Sequence, residues 1–579
     1  MSLPIVRRAV NTDAPLSTDL HPVLDRIYRG RAVQSLAELD NATGQLAHFH
    51  ELKGIDTAAQ CLVNAIKTNK RVTIIGDFDA DGATSTAVCM LALKQMGLAQ
   101  VTYLVPNRFD FGYGLSKEIV DVAYQQGTDI LLTVDNGIAC VPGVTHAKSL
   151  GLEVIVTDHH LPAETLPPAD AIVNPNQPGC PFPSKHLAGV GVAFYLMLAV
   201  RAALNKAQWF NEQNPAPNLA SLLDIVAVGT VADVVQLDKN NRVLVHQGLQ
   251  RIRSGRCRPG IKALFEIANR NKPLGYLNAT DLGFVIGPRL NAAGRLDDMA
   301  LGIECLLCED ALQARHMAAE LDRLNLQRRA IETEMKEEAE GVLASLTMAD
   351  SLPPALVVYQ PHFHQGVIGI VAGRLKEQHH RPVIVFANQD EDTLKGSARS
   401  IPGLHIRDLL DEVNTNWPEV ITKFGGHAMA AGLSLPVSAL AEFEHAFHQV
   451  TARHMAAIDC EKKILSDGEL SGDDIHLSLA HTLRQAGPFG QGFELPLFDG
   501  VFDVVDQRMV GENKNHLKLV LRKNDGEEVD GIAFSVDTNI WPNGGIQRAQ
   551  VAYRLDINTF RGRESVQLLI EEIAPVEPE

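Results

Sequence analysis

The sequence has few cysteines, no long apolar run and no secretory signal. Its 579 residues include eight cysteines that are scattered along the chain, which fits reduced thiols in a cytoplasmic protein. No stretch approaches the roughly 20 apolar residues of a membrane-spanning helix, and the first 22 residues lack the apolar segment of a signal peptide. These absences predict a cytoplasmic protein without a membrane anchor. The cysteines are Cys61, Cys89, Cys140, Cys180, Cys257, Cys305, Cys308 and Cys460.

Positive charge is also scarce, with 52 Lys and Arg against 70 Asp and Glu and a net charge of −18. This balance argues against a protein that coats nucleic acid, because phosphate-backbone affinity comes from clustered Lys and Arg. It leaves room for a nuclease, whose metal site needs acidic ligands and whose basic channel can be local. A basic stretch at 251–272 is either a solvated face or such a channel.

The chain is long enough for about three to five domains, and a pattern of alternating strands and helices fills residues 70–235. The runs RVTIIG, VTYLVP, DILLTV and LEVIVT are short, apolar and β-branched, and helical segments separate them. Such alternation predicts an α/β domain with a doubly wound parallel sheet.

Three further segments follow this domain. A helical period without Gly or Pro for about thirty residues predicts a long connecting helix on the order of 50 Å. A second α/β region opens with ALVVYQ, and short strands from about residue 465 predict an OB-like β-barrel. The predicted segments are 1–300 with a core at about 70–235, 301–349 for the helix, 350–462 for the second α/β domain, and 463–579 for the barrel.

Acidic residues follow the apolar runs of the first domain. Asp77, Asp79 and Asp81 come after RVTIIG, where an extended backbone would turn alternate side chains to one pocket. Further acidic positions follow the other runs, and the carboxyl ends of parallel strands are where open α/β sheets bind ligands. Each residue alone is more often a cap or turn residue, but four such motifs at one topological position favour a site. The other three motifs supply Asp135, then Asp158 with His159 and His160, and Asp233 after LLDIVAVGTVA.

An oxygen-rich ligand set with one or two imidazoles suits Mn²⁺ or Mg²⁺, and a bridging Asp would hold two ions. A closed zinc site is not indicated, because the CxxC pair Cys305 and Cys308 lies in an apolar helical run without a second pair. Two adjacent metals serve in-line displacement at phosphorus. The residues therefore predict hydrolysis of a phosphoric ester or anhydride, without naming the substrate.

These motifs resemble known families. The series DxDxDG, VDNG, TDHH and VADVV is similar to the DHH phosphoesterases, and GGHAMAAG at 425–432 resembles the motif of the DHHA1 domain that follows in that superfamily. FGYGLS, GPRLNAAGRL, HQGVIGIVAGRL and GSARSIPG resemble the RecJ family of bacterial single-strand-specific exonucleases, and the likeness extends from about residue 40 to 570.

The resemblance implies roles for individual residues. Asp135 would bridge two metals, His160 would donate to the scissile phosphate beside Asp158, and Ser397 with Arg399 would hold a 5′ phosphate. One departure is Ile75, since many relatives carry a histidine there, and this puts the first metal position in question. The implied metal ligands are Asp77, Asp79, Asp81, Asp135, His159 and Asp233. The implied DNA contacts are Arg108, Tyr113, Arg289, Arg295, Ser397, Arg399 and His427.

The resemblance further implies a metal-dependent exonuclease that degrades single-stranded DNA in the 5′→3′ direction to 5′-mononucleotides in DNA repair, recombination and mismatch repair. Single-strand binding protein and a RecQ-type helicase are the implied partners, and we expect a monomer. Two alternatives stay open: a DHH phosphodiesterase acting on pyrophosphate, short RNA or cyclic dinucleotides, and a non-catalytic binding protein with a decayed site.

Overall fold

The computed structural model groups the chain into two compact units, which are described separately. The first unit comprises Met1–Gly294, Asp298–Asp322 and Lys463–Glu579, and the second comprises Arg295–Asp297 and Arg323–Lys462. The four predicted segments remain a prediction of domain organisation. The structure describes residues 3–10, 14–106, 114–269, 272–346, 353–456, 458, 462–511, 514–523 and 526–576.

A five-stranded sheet in the order β3, β2, β4, β5, β6 forms the centre of the first unit, and all its pairings are parallel. The central strands β2 and β4 are wholly buried, as expected of a sheet covered by helices on both faces. The predicted doubly wound sheet is therefore confirmed. The strands are β1 (Ile5–Arg7), β2 (Val72–Ile75), β3 (Val101–Leu104), β4 (Ile130–Val134), β5 (Glu153–Thr157) and β6 (Ala171–Val173).

Helices connect and cover these strands. Several begin at a side-chain cap, such as Ser116 on the backbone N–H of Ile119 and Asp238 on that of Asn241, which satisfies N–H groups that the helix leaves unpaired. The helices are α1 (Pro22–Arg29), α2 (Ile55–Thr68), α3 (Ala80–Gln95), α4 (Lys117–Gln125), α5 (Val141–Ser149), α6 (Gly189–Lys206), α7 (Leu223–Ala232), α8 (Lys239–Arg253) and α9 (Pro259–Ala268).

Helix α6 is the one described helix that is long and apolar enough to cross a membrane. Most of it, 67%, is buried inside the protein, where it packs against α2 and α3. Tyr195 within it donates a hydrogen bond to Asn240 of α8. These contacts are those of a core helix.

Two local expectations about the acidic motifs are wrong. The run before Asp233 is helix α7 rather than a strand, so Asp233 lies at a helix C-terminus and not at the sheet edge. A short run that is apolar on all sides fits a buried helix as well as a buried strand. The backbone from Asp77 to Asp81 is not extended throughout either, because α3 begins at Ala80.

A helical segment follows α9 and leads to the long helix. A π-helical turn, Leu282–Ile286, joins two α-helices, and such turns often occur at functional sites. The predicted long helix is present and has 36 residues, of which those up to Asp322 belong to the first unit. These elements are α10 (Ala279–Asp281), α11 (Gly287–Leu296), α12 (Ala300–Leu307) and α13 (Ala311–Leu346).

The second unit is an α/β domain with a mixed sheet in the order β10, β11, β9, β8, β7, in which only β7 and β8 run parallel. Phe386 of β8 packs against Phe443 of α16 at a ring-centroid distance of 5.6 Å. The strands are β7 (Leu356–Tyr359), β8 (Val383–Asn388), β9 (Thr393–Arg399), β10 (Lys423–Gly426) and β11 (Ala430–Pro436). The helices are α14 (Ile368–His379), α15 (Ile406–Asn416) and α16 (Leu440–Met455).

The C-terminal part of the first unit is a closed five-stranded barrel in the order β13, β14, β15, β17, β16. Phe498, Phe502 and Tyr553 fill its interior, so the predicted β-barrel is confirmed. Its elements are β12 (Ile464–Ser466), α17 (Leu477–Gln485), β13 (Phe498–Val510), β14 (His516–Arg522), β15 (Glu528–Ala533), β16 (Arg548–Phe560) and β17 (Arg563–Pro575).

The barrel is joined to the N-terminal residues of the same unit. Strand β1 pairs in parallel with β12, and the buried Arg31 donates to both oxygens of the buried Asp467 at 2.7 and 3.0 Å. Asp467 also accepts the N–H of Leu497. A charged pair without exposure is costly to break, so this contact fixes the barrel against the first domain.

Candidate two-metal centre

The first acidic motif bridges β2 and α3, and each of its carboxylates is fixed by backbone N–H groups. Asp77 accepts the N–H of Phe78 at 2.7 Å, and Asp79 caps α3 through the N–H of Gly82 at 2.9 Å. Asp81, in the first turn of α3, is buried. A strand that ends where a helix begins therefore carries three carboxylates within five residues.

Asp81 is held by the N-terminus of α6, where its oxygens accept the N–H groups of Gly189 at 2.6 Å and Val190 at 2.8 Å. These bonds and the helix dipole favour a negative charge. Burial and the neighbouring charge of Asp79 outweigh them and raise the pKa of Asp81 to about 7. The site thus holds more negative charge than its own hydrogen bonds compensate.

Asp135 follows β4 in the left-handed conformation, with φ +61°, which Asp tolerates better than most residues. Its carboxylate lies against Gly189, where an added Cβ would come within 2.6 Å of Asp135 Oδ1. Burial, followed by the charges of Asp81 and Asp79, raises the pKa of Asp135 well above its ordinary value. Asp135 therefore lies close to Gly189 and within the field of several other carboxylates of the cluster.

His159 joins the sheet edge to the end of α7. Its Nε2 lies 3.1 Å from Asp135 Oδ1, 3.5 Å from Asp233 Oδ2 and 3.8 Å from Asp81 Oδ2. Asp233 is the C-cap of α7, and burial with the charges of Asp81 and Asp79 raises its pKa. The carboxylate of Asp233 thus reaches the cluster from a helix C-terminus.

Asp158 and His160 form a separate pair. Asp158 is buried and accepts the N–H groups of Ile138, His159 and His160 as well as His160 Nδ1 at 2.7 Å. Burial alone would raise the pKa of Asp158, but these bonds and the imidazole charges lower it. For His160, burial opposes the charge, yet the bond and charge of Asp158 raise its pKa to about 9. Asp158 is thus occupied in orienting a protonated His160.

The donor atoms form adjacent groups that could hold metal ions. In each group the candidate ligand atoms lie within 4.8 Å of one another; Asp135 belongs to two of the groups, and His159 belongs to two. Oxygen-rich donors with imidazole suit Mn²⁺ or Mg²⁺, and the raised carboxylate pKa values mark negative charge that a cation would neutralise. The residues therefore fit a two-metal centre. The groups are Asp77, Asp79 and Asp135; Asp81, His159 and Asp233; and Asp135, His159 and His160.

Ile75 takes no part in this cluster. It ends β2 with no exposed surface and packs in the apolar layer with Leu115, Ile119 and Leu131. The first group of donors assembles from Asp77, Asp79 and Asp135 without this position. The first group therefore does not depend on residue 75, and Asp77 is one of its three members.

The motif GPRLNAAGRL supports the first acidic loop, a role that the sequence did not indicate. Asn291 Oδ1 accepts the N–H of Ala80 at 2.7 Å, and an added Cβ at Gly294 would come within 1.8 Å of the Phe78 carbonyl oxygen. In the sequence, this supporting role is marked only by one Asn and one Gly that lie three residues apart on α11. Their partners lie more than 200 positions earlier.

The predicted DNA contacts in this motif are engaged within the protein. Arg289 donates through Nε to Asp322 at 2.9 Å and through Nη1 to the Val285 carbonyl at 2.7 Å. Arg295 donates to the Gly366 carbonyl at 2.9 Å. These contacts hold both guanidinium groups in place. Arg108 and Tyr113 lie outside the described residues.

Residues of the basic stretch at 251–272 also make internal contacts. Arg253 donates to the Leu277 carbonyl at 2.7 Å, Arg258 to the Leu306 carbonyl at 3.1 Å, and Lys272 to Asp281 at 2.7 and 2.8 Å. Cations at helix C-termini stabilise the terminal carbonyls. For these three residues the structure favours a structural role over a basic channel.

In the second unit, Ser397 and Arg399 lie on β9, and His427 lies in the turn between β10 and β11. Arg399 donates to Ser397 Oγ at 3.1 Å and to the Ala398 carbonyl at 2.8 Å, and it pairs in register with Ala430, next to the hairpin of GGHAMAAG. The N–H of His427 donates to the Ala430 carbonyl across that hairpin. Burial lowers the pKa of Arg399, and no carboxylate among the described residues pairs with it. The arrangement suits an anion.

Family models match three parts of the chain: the DHH family N-terminal domain at 71–230, the DHHA1 domain at 353–453 and the RecJ OB domain at 466–572. The chain is 52% identical over 573 residues to the single-stranded-DNA-specific exonuclease RecJ of Salmonella typhimurium, covering 98% of this chain and 99% of that protein. The chain belongs to the RecJ family. The Escherichia coli RecJ is equally similar, at 52% identity with the same coverage.

Solved RecJ structures carry the same fold. The crystal structure of RecJ from Thermus thermophilus in complex with Mn²⁺ is matched with a TM-score of 0.80 and 29% identity, covering 100% of this chain and 79% of that one. Its complex with Mg²⁺ is matched with a TM-score of 0.74 and 28% identity, covering 100% and 78%. RecJ has therefore been solved in complex with Mn²⁺ and in complex with Mg²⁺, the two kinds of ion that the donor set of this chain suits.

Proposed function

We propose that this chain hydrolyses the phosphodiester bonds of single-stranded DNA from the 5′ end, releasing 5′-mononucleotides, with two Mn²⁺ or Mg²⁺ ions at the carboxylate cluster. The observation that carries the proposal is the set of three adjacent donor groups, of which two include Asp135 and two include His159. This set lies in a chain that is 52% identical to single-stranded-DNA-specific exonucleases. The sequence resemblance supplies the direction of digestion.

The ligand set divides between the two ions. Asp77, Asp79 and Asp135 would hold one ion, and Asp81, His159 and Asp233 would hold the other together with Asp135. Bound ions of this kind lower the pKa of a coordinated water and neutralise charge on the phosphoryl group. The hydrogen bonds to Asp79 and Asp81 fix these carboxylates in advance, so little reorganisation is needed on binding.

His160 would contact the scissile phosphate. In the metal-free protein the bond and charge of Asp158 outweigh burial and raise the pKa of His160 to about 9, which favours the protonated ring, and its Nδ1 is engaged by Asp158. The other ring nitrogen is then an N–H donor for a phosphate oxygen, and a charge-assisted hydrogen bond of this kind is strong. Asp158 acts by orienting the ring.

Polarity would come from the second unit. Arg399 is a half-buried cation beside the Ser397 hydroxyl, and a guanidinium group binds phosphate in a bidentate fork. We assign this pair to the terminal 5′ phosphate. A phosphate at a strand end is a monoester and carries up to two negative charges, whereas each phosphate within the strand carries one. His427, Arg289, Arg295, Arg108 and Tyr113 complete the proposed DNA contacts on the strength of the resemblance.

The small-substrate alternative is less well supported, because the barrel at the C-terminus matches a RecJ OB domain and OB folds bind single strands through grooves and stacking. Turnover of a long oligonucleotide compared with that of a dinucleotide separates the two functions.

Single-strand binding protein and a RecQ-type helicase are the proposed partners. We propose that the enzyme is monomeric and cytoplasmic and works in DNA repair and recombination.

The test is a timed digestion of oligonucleotides labelled at the 5′ or the 3′ end, single-stranded or duplex, with Mn²⁺, Mg²⁺ or a chelator. We expect the 5′ label to appear at once as a mononucleotide from single strands with either metal. The 3′ label should remain on shortening strands. Equal digestion of duplex, early release of the 3′ label, or full activity with the chelator would contradict the proposal.

A further inference from the structure

Val234, directly after Asp233, has a backbone conformation that its residue type disfavours. Its φ is +63°, and among the described residues it is the β-branched one with φ in the left-handed region. The position follows the C-cap of α7, where Gly or Asn usually stands because other side chains crowd the backbone. Strained backbone conformations of this kind cluster at functional sites, so the conformation of Val234 suggests a functional role.

Packing does not account for a valine here, because the residue is 63% exposed. A second apolar residue has the same property: Leu161, directly after His160, is 59% exposed. Since His159 Nε2 lies 3.5 Å from Asp233 Oδ2, the chain segments carrying Leu161 and Val234 leave the same cluster. Two exposed apolar residues are therefore direct chain neighbours of His160 and Asp233 in this cluster.

Neither side chain can bind a metal or donate to phosphate. What an exposed apolar side chain offers is a surface for apolar atoms, and in a strand of DNA those belong to the deoxyribose and the face of the base. Such a contact does not distinguish one base from another, which suits digestion without sequence preference. Valine has few side-chain rotamers, so it presents this surface in a fixed position.

We propose that Val234 and Leu161 form an apolar rim on the carboxylate cluster, against which the sugar and base next to the scissile phosphate pack. The inference rests on the proposed function and names two residues that position its substrate. It explains why Val234 stands where Gly or Asn would be less strained.

The test uses Val234→Gly and Val234→Asn, which both accept a left-handed backbone, together with Leu161→Ala. We expect KM for a 5′-phosphorylated oligonucleotide to rise about tenfold in each Val234 variant, as loss of a buried valine surface predicts. We expect kcat to stay within about twofold, because the ligands do not change. The thermal midpoint should be unchanged or higher, since strain is relieved.

Gln208→Gly is the matched control, because Gln208 is an exposed residue with φ +52°. It follows the C-terminus of α6, whose other end holds Asp81 about 27 Å away at 1.5 Å per residue. This variant should keep the wild-type KM. A lowered thermal midpoint with a lowered kcat in the Val234 variants would indicate a structural role and overturn the rim.

Oligonucleotides with an abasic first or second nucleotide identify the contact. Loss of the base should raise KM for the wild-type protein and have a smaller effect on the Val234 variants, because the two changes remove one interaction. Equal effects of base removal in wild type and variants would overturn the proposal. Wild-type digestion of the normal oligonucleotide is the reference: its absence refutes the proposed function, whereas wild-type digestion with unchanged KM in the variants refutes only the rim.

Discussion

The carboxylate cluster of the first unit and the Arg399 site of the second unit are opposite solutions to burying charge. In the cluster, burial and like charges raise the pKa values of Asp81 and Asp135. At Arg399, burial lowers the pKa of a cation that has no carboxylate partner among the described residues. Each site therefore carries charge at a cost that a ligand of opposite sign removes. The comparison indicates that cations complete one site and an anion completes the other.

The largest expected effect is on the cluster. Asp135→Ala should lower the rate of cleavage at least about 10³-fold, because Asp135 belongs to two of the donor groups. Without metal the variant should be at least as stable as wild type, since it lacks a buried carboxylate with a raised pKa. Digestion rates and thermal melts measure both effects. Glu212→Ala, at an exposed carboxylate, is the control, and near-normal cleavage by the Asp135 variant would refute the metal assignment.

The next effect concerns the anion site. Arg399→Ala should reduce the preference for 5′-phosphorylated over 5′-hydroxyl strands by about 10²-fold, since a desolvated bidentate contact is lost. Stabilisation by Mn²⁺ should be the same as in wild type, because the ligands lie elsewhere in the chain. Competition between the two kinds of strand gives the preference. An unchanged preference would show that another cation reads the strand end.

A smaller effect is expected from Gly369→Ala in α14. An added Cβ there would lie 2.9 Å from Arg399 Nη2 and 2.9 Å from Ser397 Oγ, whereas Gly373 in the same helix faces open space. The first variant should displace the guanidinium and lower the 5′-phosphate preference about tenfold. Gly373→Ala should leave it unchanged, while both gain helix propensity. Equal behaviour of the two variants would mean that Arg399 does not need its present position.

The smallest effect is a change in stability with pH. The pKa of Asp81 is raised to about 7, so the folded state binds more protons than the unfolded state between about pH 4 and 7. The pKa of His160 is raised from 6.5 to about 9, so the same holds between about pH 6.5 and 9. Without metal, stability should therefore fall as pH rises from about 4 to about 9. Saturating Mn²⁺ should oppose this fall, since it binds the ionised carboxylates of the folded state. Thermal melts across this pH range, with and without metal, measure the effect. If the metal-free protein became more stable as the pH rises, the raised pKa values of Asp81 and His160 would be contradicted.

Much of the site was predictable because its residues follow local patterns. Asp135 comes directly after a buried strand and Asp77 lies two residues after another, and the edge of a parallel sheet brings such positions together. The sequence predicted Asp233 as a site residue but not the helix that it ends. An apolar run of ten residues has no periodicity that distinguishes a helix from a strand. Asn291 and Gly294 were not predicted as supports, because their partners Ala80 and Phe78 are remote in sequence.

The sequence by itself determined the α/β sheet, the long helix, the terminal barrel and the acidic motifs, since each depends on periodicity or on residues within a few positions. Only the tertiary structure decided which carboxylates share a donor group, why Asp158 orients His160, and that β1 pairs with β12 across the length of the chain. It also decided that Arg289 is held by Asp322 and that Val234 is both strained and exposed. The physical reason is that hydrogen bonds, burial and charge act over a few ångströms in space, and separation along the chain does not report that distance.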